Sequence, residues 1–587
     1  MIKQLRDLMR SKGIDAAIFP QTDPHQSEYI ADHWQVRRWL SGFTGSAGAL
    51  VVTPTEAYVW ADSRYWLQAA AQLSGTGIAV MEEGKPEVPA ITEWICSRLT
   101  DGQTVGIHGM LFSIDATEAL RSRLGEAGIK LDTDFDAAGE LWTGRPALPD
   151  APIFVHDVKY AGEEPSSKIA AILAETSRCG ANAIFISDLA EIAWTLNIRS
   201  RDVESNPVAI SFLYLSETGS TLLVDPRKLT PEVIAHLDSC GIATQPYDRT
   251  LPFLAALPDT ARVLVSPSQT AGDVACALGK NRTVRHDSPV AILKGCKNET
   301  QIEGIRQAMR RDGAALVKAF MHIEADVAAQ RPLTEMGIAD LLTHYRSQQP
   351  LYFDQSFDTI AGYGPHGAIV HYSATPDTDA RIRTDNLLLI DSGANYLDGT
   401  TDITRTVALG QPTERQRTDF TLVMKGHIAL AAAVYPEGTR GAQLDALARQ
   451  FLWQHGLSYL HGTGHGVGHF LNVHEGPQSI RLNENPTPLS PGMITSDEPG
   501  LYREGEYGIR CENLVLTVPA MTTEFGRFLK FETLTLFPFD RKLFDLSIMT
   551  PQEIQWVNEY HDKVRRELSP LLSPEENAWL TERTMPL

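Results

Sequence analysis

The chain has 587 residues, room for three or four domains of ordinary size, and 43 % hydrophobic with 21 % charged residues is globular composition, which excludes a disordered, collagen-like or coiled-coil protein. Asp and Glu number 73 against 52 Lys and Arg, a formal charge of −21, and so acidic a surface argues against nucleic acid or an anionic membrane as partner. Six cysteines (Cys96, Cys179, Cys240, Cys276, Cys296, Cys511) form no CxxC pair and no disulfide framework, charges interrupt the N-terminal MIKQLRDLMRSKGID, and no 18-residue apolar run occurs; a cytoplasmic, membrane-free protein is expected.

In chain order, the apolar runs AAIFP (16–20) and GALVVT (48–53) alternate with helical stretches, an α/β pattern. GRPALPDAP (144–152), with three prolines in nine positions, reads as a linker. A similar pattern follows: GANAIFIS (180–187) matches GIDAAIFP (13–20), so the two halves are either copies of one unit or convergent strand patterning. The predicted domains are 1–150, 153–292 and 293–587, the last with an aromatic-rich, packed C-terminal extension over 530–587. A long helix is predicted from Asn298, with Ile302, Ile305, Met309 and Leu316 at helical spacing. Capping boxes are predicted at Thr413/Gln416 and Thr550/Glu553.

The chemistry lies in the last 300 residues. In NLLLIDSGANYLDGTTDITRTVAL (386–409), a hairpin centred between Tyr396 and Leu397 places Asp391 opposite Asp402. In TSDEPGLYREGEYGIRCENLVL (495–516), a hairpin centred on Gly505 places Glu498 opposite Glu512. Like charges facing each other beside apolar strands are destabilising, and a bound cation resolves the conflict. The alternative is surface charge on edge strands. Between the pairs, HGTGHGVGHFLNVHEGP (461–477) holds four of the seventeen histidines. His461, His465 and His469 have helical spacing, but the intervening glycines oppose a helix and favour extended backbone. No GxxxxGK[ST] order supports a phosphate loop. Four carboxylates with one imidazole suit Mn(II), or Co(II) or Zn(II), and balance two divalent ions, so the residues point to a dinuclear metallohydrolase.

DSGANYLDGTTDITRT, GTGHGVGHFLNVHEGP, DEPGLY and GIRCEN, in this order, resemble the pita-bread metallopeptidases, and over the whole chain the aminopeptidase P (Xaa-Pro aminopeptidase) family. RRWLSGFTGSAGALVV with ADSRYWLQ, EIAWTLNIRSRDVESNPV and SPVAILKGCKNETQIEGIRQA extend the resemblance upstream. It implies an α/β (α+β) chain of two creatinase-N-like α/β domains before a pita-bread catalytic domain with its C-terminal extension. It implies Asp391, Asp402, His465, Glu498 and Glu512 as ligands of two metals, with Asp402 and Glu512 bridging, Asp391 on one ion, and His465 and Glu498 on the other. A hydroxide bridging the ions would attack the carbonyl, and Glu498 would carry its proton to the leaving proline nitrogen. His371 and His474 match the catalytic, substrate-binding histidines, and His461 a third histidine near the substrate. A homodimer acting on peptides with N-terminal Xaa-Pro follows from the same likeness.

Some positions stay open. Tyr502 and Arg510 are read either as orienting a carboxylate from the second layer or as surface residues. His469 matches no assigned role and is read as structural. Cys511 stands where an aliphatic residue is usual, and alternation should turn it away from Glu512's face. Thr44 stands where an acidic residue is expected in the first domain. The rival readings are a prolidase-type Xaa-Pro dipeptidase, for which the two leading domains are too long, and a non-catalytic pita-bread peptide-binding module, which has no need of intact ligands. Methionine aminopeptidase lacks both leading domains, and creatinase lacks the metal ligands.

Overall fold

In the computed structural model, which describes residues 1–587, helix Ile2–Lys12 stops at Gly13, whose φ of +69° places it in the left-handed region, and the buried strand Ala16–Pro20 follows. The same sequence of events recurs at helix Pro165–Arg178, Gly180 (φ +78°) and strand Ala183–Ile186. Both belong to a unit made of Met1–Val158 and Glu163–Ala291. It contains two six-stranded sheets. The first runs Ala79–Glu82, Ala57–Ala61, Ala49–Val52, Ala16–Pro20, Thr104–Gly106, Lys130–Asp132. The second runs Ile242–Gln245, Ser220–Val224, Ser211–Ser216, Ala183–Ile186, Val263–Val265, Thr283–Arg285. Across both, successive neighbours are parallel, antiparallel, antiparallel, parallel and parallel. The two segments equated by sequence thus hold corresponding places. Residues 145–153, around the proline-rich stretch, form neither helix nor strand.

Lys159–Gly162 and Ile292–Leu587 form the other unit. Its long helix spans Glu299–Ala328, and Asn298 caps it reciprocally with Gln301. Ile305, Met309 and Leu316 are buried in the unit's main apolar core, and Ile302 packs against it. Both capping boxes predicted from sequence are present, at helices Glu414–Ala431 and Pro551–Leu568. A three-stranded sheet orders Ile360–Tyr363, Leu387–Ser392 and Ile403–Ala408. A six-stranded sheet orders Val434–Pro436, Gly526–Thr533, Asn513–Thr523, Ile494–Asp497, Gly464–Gly466 and Glu475–Ile480. The C-terminal extension packs on this unit: Phe537, Phe539, Phe544, Val557, Tyr560 and Leu580 join the main core. No helix is long and apolar enough to cross a membrane.

Candidate metal centre

All five sequence-predicted ligands sit on or at the ends of strands. Asp391 is the penultimate residue of Leu387–Ser392, and Asp402 immediately precedes Ile403–Ala408. His465 is the middle of Gly464–Gly466. Glu498 follows Ile494–Asp497, and Glu512 precedes Asn513–Thr523. The histidine segment is extended, as its glycines require. A Cβ on Gly464 would overlap the carbonyl oxygen of Ser496, and one on Gly466 that of Glu475. The glycines therefore admit neighbouring backbone, where the sequence argument had expected them to admit a ligand.

The first hairpin needs a correction. Asp391 pairs with Thr404, not Asp402, and Asn395 with Thr400, so the turn falls at Leu397–Asp398, one residue later than expected. Asp402 lies diagonal to Asp391. A slip of two residues preserves side-chain parity, so both carboxylates still serve one face. The second hairpin has the expected register. Gly500 pairs with Arg510 and Arg503 with Tyr507 around Gly505. Beyond it Asp497 pairs with Asn513 in the same register. Glu498 and Glu512 face each other at the interruption between these two ladders, where the backbone is released from strand pairing.

The side chains converge. Ligand atoms of Asp402, His465 and Glu512 all lie within 4.8 Å of one another. His465 Nε2 is 3.5 Å from Asp402 Oδ2 and 3.4 Å from Glu498 Oε1. His465 Nδ1 is 2.9 Å from the Gly466 carbonyl, which only accepts, so Nδ1 carries the proton and Nε2 is left facing the carboxylates, where only a proton or a cation between them relieves the repulsion. Burial pushes the Asp402 carboxyl well above its usual range, and the charges of Asp391 and Glu498 raise it further. Burial does the same to Glu512, assisted by Asp402, Asp391 and Glu498. Burial also lifts Glu498, up to about 7, against the lowering by Arg510. Packed this way, the carboxylates must take up protons or cations. Asp391 Oδ1 is buried without a hydrogen-bond partner. An oxygen-rich donor set with one imidazole and an unsatisfied buried carboxylate oxygen fits hard divalent cations.

A second layer holds these groups. Arg510 donates to Asp391 Oδ2 (2.6 Å), to Tyr502 OH (2.8 Å) and to Thr404 Oγ1 (3.1 Å). Thr404 Oγ1 donates to Glu512 Oε2 at 2.9 Å, and Ser496 Oγ to Glu498 Oε1 at 3.2 Å. Of the two readings of Tyr502 and Arg510, the geometry favours carboxylate orientation: Arg510 is 1 % exposed, and burial pushes the Tyr502 hydroxyl up to about 12. His461 Nε2 lies 2.8 Å from Tyr502 OH. His474 packs its ring 4.4 Å from that of His465, and His371 sits half-buried in the turn after the short helix Gly364–Ala368. His469 is buried, and so is Cys511, which joins the main apolar core. Thr44 is exposed in the other unit, bonded to Gln68 and Gln72.

Sequence reasoning missed Thr404 and Ser496, although each lies two residues from a ligand on an alternating strand. It also missed the buried Arg405, whose guanidinium holds the Glu512 carbonyl.

Comparison with known proteins places the whole chain. A model of metallopeptidase family M24 matches residues 303–519, and its C-terminal region matches 527–587. Creatinase/prolidase N-terminal domains match 1–139 and 144–301. Aminopeptidase P2 of Arabidopsis thaliana is 41 % identical over 98 % of this chain and 86 % of its own. A probable Xaa-Pro aminopeptidase P of Laccaria bicolor is 40 % identical over 100 % of this chain and 93 % of its own. The X-prolyl aminopeptidase of Caenorhabditis elegans, described as a cytosolic enzyme with a di-nuclear active site, superposes with a TM-score of 0.96 at 34 % identity over 100 % of both chains. The Xaa-Pro dipeptidase of Bacillus anthracis shares the fold over 64 % of this chain and 99 % of its own (TM-score 0.52, 21 % identity).

Proposed function

The chain belongs to the aminopeptidase P family of M24 metallopeptidases and is a hydrolase, and from that footing we propose that it releases the N-terminal residue from peptides with proline in the second position. The observation that carries this reading is the convergence of Asp391, Asp402, His465, Glu498 and Glu512, in a chain matched end to end by an X-prolyl aminopeptidase. The dipeptidase likeness stops short of two thirds of the chain.

We assign Asp391, Asp402, His465, Glu498 and Glu512 as the residues that would hold two divalent ions, with Asp402 and Glu512 serving both, Asp391 one, and His465 with Glu498 the other. Two divalent ions, Mn(II) ahead of Co(II) or Zn(II), would supply Lewis acidity there, polarising the carbonyl and making water more acidic. Glu498 carries the proton of the attacking water on its carboxylate and delivers it to the proline nitrogen. A bond to proline is a tertiary amide without N–H. Recognition therefore falls on the carbonyls, to which His371 and His474 donate hydrogen bonds. Arg510, held by Tyr502, keeps Asp391 aimed at the centre, and His461 lines the substrate side through Tyr502. A cytoplasmic homodimer completes the proposal; six free thiols accord with that compartment.

The test is hydrolysis of Xaa-Pro-Xaa tripeptides and Xaa-Pro dipeptides after chelation and after Mn(II) is restored. Cleavage of the tripeptide's first bond, lost on chelation and regained with Mn(II), is expected. Cleavage of dipeptides alone would make the chain a prolidase, and no cleavage with any divalent ion would leave a peptide-binding module. A second expectation concerns His474→Ala. It should lower kcat about 10²-fold, the scale of one lost hydrogen-bond donor to a developing oxyanion, while the protein keeps its metal by elemental analysis. Parallel loss of rate and metal would make His474 structural.

A further inference from the structure

The segment carrying His371 has little structure of its own. It leaves strand Ile360–Tyr363, passes through the short helix Gly364–Ala368, and reaches strand Leu387–Ser392 with no further helix or strand, only an isolated bridge at Arg381. Those two strands are the pair in which Ile360 lies opposite Asp391. For a histidine on such a loop to act on substrate, the loop itself must be fixed to within the fraction of an ångström that a catalytic hydrogen bond tolerates.

One buried side chain ties this loop down. Glu335, the first residue of helix Glu335–Ser347, is 0 % exposed. Its Oε1 accepts from Tyr363 N–H at 2.8 Å, at the start of the loop. Its Oε2 accepts from Tyr372 OH at 2.8 Å, next to His371, and from Ala380 N–H at 2.9 Å, near the end. His366 Nδ1 lies 2.9 and 3.0 Å from the two oxygens, and its ring stacks on Tyr372 at 4.5 Å. A carboxylate at the first position of a helix is favoured by the helix dipole, and these donors replace the water it has lost. Tyr372 is also buried in a small apolar cluster with Ile360 and Leu389, against which Tyr502 packs. The anchored tyrosine therefore connects the loop to the metal-centre wall.

We propose that Glu335 is a positioning residue that sets His371 against the substrate by clamping the loop 363–380 at its start, its middle and its end. The inference rests on the reading of His371 as a substrate-binding residue. Glu335 touches neither substrate nor metal in this account; it acts through Tyr372 and the backbone on either side.

The test is a double-mutant cycle on the Mn(II)-loaded full chain, read as kcat and KM on an Xaa-Pro-Xaa tripeptide with metal content measured on each protein. Glu335→Gln keeps the shape but removes the charge and turns an N–H group toward either Tyr363 N–H or Ala380 N–H, each of which already donates. It should lower kcat by about tenfold to 10²-fold with two ions retained. In the His371→Ala background the same substitution should change kcat by less than about twofold, because coupled residues lose one interaction once. An equal fold-loss in both backgrounds, or a wild-type rate for Glu335→Gln, would overturn the proposal. Tyr372→Phe deletes one hydroxyl without burying a new donor and covers the case in which Glu335→Gln does not fold. Its few-fold loss of kcat should vanish in the His371→Ala background, and persistence there would overturn the proposal. A wild-type rate for His371→Ala alone would overturn the role of His371 and this proposal with it, leaving the metal assignment untouched.

Discussion

Asp402→Asn is expected to abolish turnover. The substitution conserves volume but replaces one ionised oxygen with an amide nitrogen that presents N–H to a cation. Asp402 is 4 % exposed and within reach of His465 and Glu512, so it lies inside the cluster that would hold the ions. On the proposed assignment, loss of a ligand serving both ions would weaken the hold on one and disturb the alignment of the other. The expected fall in kcat is roughly 10³-fold or more, about 4 kcal/mol of barrier at about 1.4 kcal/mol per decade. Bound metal should drop below two ions per chain by elemental analysis. Glu512→Gln should behave alike, because its Oε2 accepts from Thr404 and the amide would face that donor with an N–H in one of its two orientations. Full activity of either variant at micromolar metal would sink the dinuclear assignment.

Arg405→Met is expected to carry the largest cost in stability. Arg405 is 2 % exposed, and burial pulls its pKa below the ordinary arginine value. Its guanidinium donates to the carbonyls of Thr404 (2.9 Å), Glu512, Phe537 (2.7 Å) and Pro538 (3.2 Å), to Asn513 Oδ1 (2.8 Å) and to Tyr560 OH (2.9 Å). It also lies 4.0 Å above the Phe539 ring. Methionine fills part of the volume but leaves these acceptors dry, each at about 1–3 kcal/mol. Relaxation recovers some of that, so a net loss of about 4 kcal/mol is expected, lowering this unit's thermal midpoint by around 6 °C. Arg405→Lys should recover less than half, because an ammonium has three donors at one point and cannot span acceptors on three segments. Metal affinity should weaken in both variants, since Glu512's backbone is one of the groups released. A midpoint within 2 °C of the parent protein, about the precision sought, would refute this account.

The two predictions rest on residues of unequal legibility. Asp402 and Glu512 could be singled out because carboxylates brought close in a hairpin are a local electrostatic conflict, visible within about twenty residues of sequence. The second hairpin was placed correctly because Gly505, with φ +74°, pins the turn. The first was misplaced because Asn395–Gly399 offers turn-forming residues at two adjacent centres, and only packing decides between them. The chemistry survived because a two-residue slip does not change faces. The histidine segment was legible as non-helical because four glycines oppose a helix, and only Gly464–Gly466 of it pairs as strand. Arg405 and Glu335 were not legible. Arginine and glutamate are mostly exposed, and the partners that bury these two come from distant segments: residues 512–560 for Arg405, and a loop 28 to 45 residues downstream for Glu335. His461 was placed near the substrate by likeness, but its bond to Tyr502, 41 residues away, is a tertiary fact.

The shared register on both sides of Glu498 and Glu512 constrains how this segment can change in length during descent or engineering. Residues added symmetrically at the exposed tip, Glu504–Glu506, leave Gly500 opposite Arg510 and Asp497 opposite Asn513. A single residue gained or lost in either arm breaks one of those pairings and turns one glutamate to the opposite face. Related chains should therefore vary in length at the tip and keep constant spacing from Glu498 to Arg503 and from Tyr507 to Glu512. The tip is also the place to graft a tag or a reporter loop, because it lengthens the hairpin without moving either carboxylate.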